Sequence, residues 1–242
     1  MNLIIDIGNS SVKTAIFDGD TVVEEGRYDS FTAADADTLL KKHPGTDAAI
    51  LCSVGMFDKA AEELLKERLD RFVRFGPGTP VPIANAYSTP ETLGADRLAA
   101  AVGAVSLYGA DKNILVVDFG SAITIDSVVC GTFMGGNISP GVSMRFRALN
   151  DYTAALPLRT LPAGELPLYG SSTYQAIETG VVRGITGEIA GYIEESRRIH
   201  GQVTVVFTGG DANYFAGKLK NTIFVNPRLV VVGLNVILES IR

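Results

Sequence analysis

No basic stripe, no paired cysteines and no membrane-length apolar run appear in this 242-residue chain, and each absence removes a class of function. Lys and Arg number 21 against 27 Asp and Glu, a net charge of −6. Nucleic acids and anionic bilayers both select for a positive surface, so no nucleic acid and no membrane is expected as a partner. Cys52 and Cys130 stand far apart without a C-x-x-C neighbour. That usage reads as reduced, buried thiols in a cytoplasmic protein rather than a disulfide or metal site. His43 and His200 lie in polar settings beside "KK" and "RRI" and read as surface residues with no catalytic part. The first apolar run follows no basic stretch and is interrupted by Asp6, so no signal peptide is expected. The apolar stretch near the end, "LVVVGLNVIL" at 229–238, is well short of the ~20 residues a membrane helix needs.

What is there has the composition of a compact protein: 46% apolar and 20% charged residues, enough for one large domain or two modest ones. β-rich segments fall at 2–7, 12–17 and 21–28, followed by a helix from near Thr32 and a strand near 48–53. The amphipathic run "DKAAEELLKERLDRF" predicts a helix over 58–72. A Pro/Gly-rich connection at 76–82 leads into a helix through 91–108.

The opening stretch "LIIDIGNSS" carries the first chemical signal. An apolar strand ends on a carboxylate, Asp6, and passes into Gly8, Asn9, Ser10 and Ser11, small residues suited to a tight turn. Small residues leave backbone N–H groups uncovered, and an anion such as phosphate sits well against them. The layout then recurs. "NLIIDIGNSSVKTAIFDG" at 2–19 and "NILVVDFGSAITIDSVVCG" at 113–131 share an apolar strand, Asp-x-Gly, small polar residues, a second strand and a Gly turn. Asp6 matches Asp118 and Gly8 matches Gly120 at one offset, 118 − 6 = 120 − 8 = 112. The second copy continues with a strand at 132–138, helices, a strand "VTVVFTGG" at 203–210 and a final helix from about 228. The repeat implies two related halves, 1–112 and 113–242, and the alternation of strands and helices implies an α/β fold.

Two acid-tipped hairpins facing each other across a cleft would hold a polyphosphate from both sides. Their carboxylates would repel a bare triphosphate, so a hard cation such as Mg²⁺ is expected between them, with Asp6 a candidate ligand. Gly209 and Gly210 in "FTGGDA" would leave backbone bare for an adenine or ribose. This three-part layout resembles the actin, Hsp70 and sugar-kinase superfamily, which implies duplicated ribonuclease H-like halves, each a mixed sheet flanked by helices, with a cleft between them.

The residues between the two copies narrow the resemblance. "GADR" at 94–97 sets Asp96 beside Arg97 near the start of an Ala-rich helix. Alone, that pair fits a surface ion pair in a first helical turn as well as a base beside an anion-binding cation. Tyr87, Pro90 and "LGADR", then "VVDFGSAIT", "GGNISPG", "TAALP" and "GSSTYQAIETG", are similar in order and spacing to type III pantothenate kinases, from residue 6 to about 210. That resemblance implies ATP-dependent phosphorylation of pantothenate to 4′-phosphopantothenate, the first step of coenzyme A biosynthesis.

Carried over by position, it implies an ATP-binding segment from Asp6, Ile7, Gly8, Asn9, Ser10 and Ser11 to Val12 and Lys13, with Ser121 after the second turn. It implies pantothenate contacts from Tyr87, Gly94, Ala95, Asp96, Arg97 and Thr173, with Asp96 as proton acceptor. Asp118 would bind a monovalent cation, K⁺ or NH₄⁺, and the enzyme would be a cytoplasmic homodimer. The chain departs from the family pattern at Ser10 and Ser121, where the family has Thr, and at Ser172, where it has Asn. Ser keeps the hydroxyl; Ser172 loses a side-chain amide. Arg97 is read either as a partner of the substrate carboxylate or as a structural ion pair, and Lys13 either as a phosphate contact or as a solvent-facing strand residue. Two other functions fit the layout: a different small-molecule kinase of the superfamily, and a non-catalytic nucleotide-binding regulator acting as an accessory factor in transcription. The three acids, Asp6, Asp96 and Asp118, favour catalysis.

Overall fold

The structure is a computed structural model and describes residues 1–9, 11–53, 57–220 and 222–241. The chain opens as a meander, β1 (Asn2–Ile7), β2 (Val12–Asp18) and β3 (Thr21–Tyr28). It continues through α1 (Ala33–Lys42), β4 (Ala48–Ser53), α2 (Lys59–Arg68), β5 (Arg71–Arg74), the two-residue β6 (Ala84–Asn85) and, after a 3₁₀ turn at Pro90–Thr92, α3 (Ala95–Tyr108). A similar succession follows: β7 (Asn113–Phe119), β8 (Ala122–Val129), β9 (Thr132–Pro140), α4 (Val142–Asp151), α5 (Thr173–His200), β10 (Thr204–Thr208), α6 (Ala212–Ala216), β11 (Phe224–Val225) and α7 (Leu229–Ser240).

The first sheet has the order β3-β2-β1-β4-β5 and the second β11-β10-β7-β8-β9-β6. Read from β9, the second sheet repeats the first strand for strand, with β6 added beyond it. Both are mixed α/β sheets: β1 runs antiparallel to β2 and parallel to β4, and β7 runs parallel to β10. Two compact units result, one of Met1–Lys112, Val128–Gly135 and Arg228–Arg242, the other of Asn113–Ser127 and Gly136–Pro227.

In the first unit, strand alternation divides β1 between two helix layers. Leu3, Ile5 and Ile7 bury against Ala36, Leu39 and Leu40 of α1 and Leu65 of α2. Asn2, Ile4 and Asp6 take the opposite face, where Asn2 donates to Asn235 Oδ1 of α7 at 2.8 Å. Helices α3 and α7 approach each other there backbone to backbone at two glycines. A Cβ on Gly233 would lie 1.8 Å from the Ala99 carbonyl oxygen, and one on Gly103 would lie 2.3 Å from that of Leu229. The second unit repeats the division: Leu115, Val117 and Phe119 of β7 bury with Phe146 of α4 and Ile185 and Ile189 of α5.

Three expectations need correction. The helix expected over 58–72 ends at Arg68, where the Leu69 N–H closes on Leu65 O. Residues 71–74 instead pair with β4, Ala48 opposite Arg71 through Leu51 opposite Arg74, so sheet hydrogen bonds override helix propensity. Cys52 is buried, but Cys130 is exposed. It takes φ +45° beside Gly131 at φ +71°, the two central residues of the hairpin turn between β8 and β9. His43 is not on the surface: its side chain is 11% exposed and lies 2.6 Å from Glu24 Oε2.

Candidate active site

Asp6 is the fifth residue of β1 and sits almost wholly buried near the strand's C-terminal end. Its register partners are Lys13 on β2 and Cys52 on β4, so all three side chains share the face that looks toward α3. That settles the direction of Lys13. Asp96, in the first turn of α3, stands near enough for its charge to act on Asp6. Burial first, then that like charge, raise the Asp6 carboxyl to about pKa 6, against the opposing pull of Lys13. Burial and the two carboxylates together hold the Cys52 thiol firmly protonated. The turn after Asp6 is closed by the Gly8 N–H on Ser11 O at 3.1 Å. Ile7 and Val12 are buried around it, Asn9 is exposed, Ser11 is half-buried and Ser10 lies outside the described residues.

Five of the residues expected to contact pantothenate, Tyr87, Gly94, Ala95, Asp96 and Arg97, lie around the start of α3. Gly94 is the N-cap, Ala95 begins the helix, and Asp96 Oδ1 accepts from the Arg97 backbone N–H at 2.9 Å. The Arg97 guanidinium is buried, 5.7 Å from the Tyr87 ring centre. Behind this turn Pro90, Leu93, Ala95 and Leu98 line one side of a cavity of about 250 Å³, with the 75–81 connection on the other.

The second unit gathers its own set. Asp118 occupies on β7 the place that Asp6 has on β1, opposite Thr208 of β10 as Asp6 is opposite Cys52. Its turn is shorter, with only Gly120 and Ser121 between the strands, and closes through the Gly120 N–H on Ala122 O at 3.2 Å. Gly209 follows β10 at φ +89° and presses on this hairpin, where a Cβ would stand 2.6 Å from both N and C of Phe119. The Asp211 N–H donates to Phe119 O at 3.3 Å, and the Gly141 N–H to Ser121 O at 3.2 Å. The second acid turn, the glycine pair and the end of "GGNISPG" therefore form one cluster. Gly210 faces open space. Thr173 begins α5, exposed, behind the N-cap Ser172, whose hydroxyl accepts from the Gln175 N–H at 3.3 Å. Ser172 thus has a structural part in place of the missing amide.

A family model for type III pantothenate kinase matches residues 2–195. The chain is 42% identical over 240 residues to a type III pantothenate kinase of Phocaeicola vulgatus, covering 99% of this chain and 98% of that protein. The chain belongs to the type III pantothenate kinase family. Among solved structures it is similar to a Campylobacter jejuni protein provisionally named a Baf family transcriptional activator, with a TM-score of 0.61 at 22% identity, covering 98% of each chain. It is also similar to a Sinorhizobium meliloti protein provisionally named a 2-dehydro-3-deoxygalactonokinase, with a TM-score of 0.58 at 18% identity, covering 100% of this chain and 99% of the other. At those identities the likeness is one of fold.

Cys52 and Thr208, which stand beside the two acids, carry no motif of their own and could be found only through strand register. Among the described residues no cluster of three or more His, Cys, Asp or Glu is arranged to hold a metal. The acids of the first unit nevertheless suit Mg²⁺, which binds through one or two carboxylates and completes its shell with water and phosphate oxygens. A buried Asp6 whose charge is opposed by a second carboxylate is a donor that a hard cation would relieve.

Proposed function

We propose that the protein transfers the γ-phosphoryl group of ATP to the primary hydroxyl of pantothenate, the committed entry to coenzyme A. Membership of the family over nearly the full chain is the observation that carries this reading. In the reaction the acceptor oxygen forms a bond to the γ-phosphorus, the bond from that phosphorus to the β–γ bridging oxygen breaks, and ADP leaves. Asp96 accepts the hydroxyl proton; its place at the open end of α3, beside the acid-tipped strand β1, supports that role. The first turn, Asp6 to Lys13, holds the phosphates with its backbone amides and the Lys13 ammonium, and Ser121, Gly209 and Gly210 are further ATP contacts.

Asp6 is the carboxylate for Mg²⁺, which supplies charge neutralisation at the phosphates when bound. Asp118 is the carboxylate for K⁺ or NH₄⁺; its neighbouring turn carbonyls are hard oxygen donors of the right kind. Tyr87, Gly94, Ala95, Arg97 and Thr173 bind and orient pantothenate, so that most of the acceleration comes from positioning and electrostatics.

The homodimer is supported by large apolar side chains that the second unit leaves exposed, among them Ile138, Met144, Tyr152, Leu168 and Tyr169. A cytoplasmic location fits a substrate set of ATP and a small acid; among the described residues no helix is long and apolar enough to cross a membrane.

The test is ADP release by the purified chain with pantothenate, with and without K⁺. Stoichiometric phosphopantothenate, strongly reduced when Na⁺ replaces K⁺, is the expected result. ADP formed with a sugar but not with pantothenate would overturn the substrate, and pantothenate turnover indifferent to K⁺ would overturn the role of Asp118.

A further inference from the structure

Arg97 carries a buried charge, and its surroundings include a residue that no motif contains. Phe133, in β9, is fully buried. The Arg97 guanidinium lies 5.7 Å from the Tyr87 ring centre and 5.9 Å from that of Phe133, and the two rings are 6.1 Å apart. The three groups form a nearly equilateral triangle in which each fixes the other two. Aromatic faces attract a guanidinium through their quadrupole, and the attraction grows when water is excluded.

The backbone around Phe133 reinforces this. Ala84 N–H donates to Gly131 O at 3.1 Å and Ala86 N–H to Phe133 O at 2.9 Å, so residues 84–86 are zipped onto β9 immediately before Tyr87. The Tyr87 N–H then turns onto Asn85 Oδ1 at 3.0 Å. Phe133 thus anchors Tyr87 through the main chain and through its ring, and holds Arg97, one residue beyond Asp96, by its ring alone.

We propose that Phe133 is a positioning residue for the acceptor substrate: it fixes the Tyr87 ring and the Arg97 guanidinium in the arrangement that receives pantothenate. This rests on the function proposed above. Leu at this position would fill most of the volume but remove the quadrupole, so the guanidinium loses one of its two aromatic contacts.

The experiment is steady-state kinetics of the full chain with each substrate varied in turn, for the unmodified protein, Phe133→Leu and Phe133→Tyr. In Phe133→Leu the KM for pantothenate rises about tenfold while that for ATP stays within about twofold, and Phe133→Tyr, which keeps the ring, restores most of the pantothenate affinity. In an Arg97→Lys background the Leu substitution adds much less than it does alone, since the shared contact is already lost. Should Phe133→Leu not fold, Phe133→Met, with its adaptable side chain, takes its place. Lowered thermal stability with both KM values unchanged overturns the proposal, as does full additivity with Arg97→Lys. If the unmodified protein itself forms no ADP with pantothenate, it is the proposed function that fails.

Discussion

Gly209 lies so close to Asp118 that a Cβ there would stand 2.4 Å from the Asp118 Oδ1. The contact joins the strand-end acid of the second hairpin to the glycine pair, and it depends on a backbone at φ +89° that side chains other than hydrogen rarely accept.

Gly209→Ala therefore meets two penalties, strain at positive φ and a clash with fixed backbone, together on the order of 2–4 kcal/mol. A lowered unfolding midpoint and a raised KM for ATP are expected. Gly210→Ala is the control, because nothing lies within 4 Å of a Cβ placed there. Its stability should match the unmodified protein to within about 0.5 kcal/mol. Equal effects at the two positions in thermal melts would show that the turn is not held by this contact.

Asp96→Asn keeps the shape and the hydrogen bond to the Arg97 N–H but removes the carboxylate proposed to accept the proton. A fall in kcat of about 10²- to 10⁴-fold is expected, with the ATP KM little changed. Near-normal turnover in a coupled ADP assay would end the base assignment.

The buried Asp6 carboxyl predicts a pH dependence of stability. Its pKa rises from 3.8 unfolded to about 6 folded, so the folded state binds the proton more tightly. The stabilisation is complete below about pH 4 and is lost as pH climbs through about 6. Above that, ionised Asp6 costs the nucleotide-free protein roughly 3 kcal/mol. Asp6→Asn lacks this component, so denaturant titrations from pH 4.5 to 7.5 should show its stability gaining on the unmodified protein by about 2 kcal/mol, the remainder of the loss falling below pH 4.5. A constant difference across the range would mean that the carboxyl is not desolvated. Activity of Asp6→Asn should be lost at every pH.

Gly233→Ala tests the packing of α7. With a methyl directed at the Ala99 carbonyl, 1.8 Å away, the helices must separate, at a cost of about 1–3 kcal/mol or more. Because Ala99 lies within one turn of Asp96 and Arg97 on α3, kcat should fall as well. An exposed glycine of α5, Gly191, has open space around it and should accept Ala with a small gain.

Much of the local structure was legible in the order of residues. Strands at 2–7, 21–28 and 48–53 stand where the apolar runs placed them, and α1 starts at the Thr32 cap. The two Asp-x-Gly turns and "LGADR" were visible as short words, because each is a strand tip or helix start whose pattern is contained within a few residues. Failures came where distant partners decided. Arg71–Arg74 left the helix because β4 offered an edge to pair with, and Cys130 came to the surface because a two-residue hairpin needed its positive φ. Phe133 gave no signal at all. An apolar strand residue looks the same in sequence whether it packs on leucines or on a guanidinium.

Residue order by itself determined the family, the repeated α/β pattern and the identities of the acids, since these are written in contiguous segments with their own propensities. Only the tertiary structure decided that Lys13, Cys52 and Asp6 share one face, that Asp96 adds its charge to theirs, and that the last helix packs on the first unit rather than with the strands that precede it. The reason is that strand register and helix crossing are set by contacts between segments tens to hundreds of residues apart. Such contacts depend on which faces fit, as the bare backbones of Gly103 and Gly233 do, and no single segment carries that information.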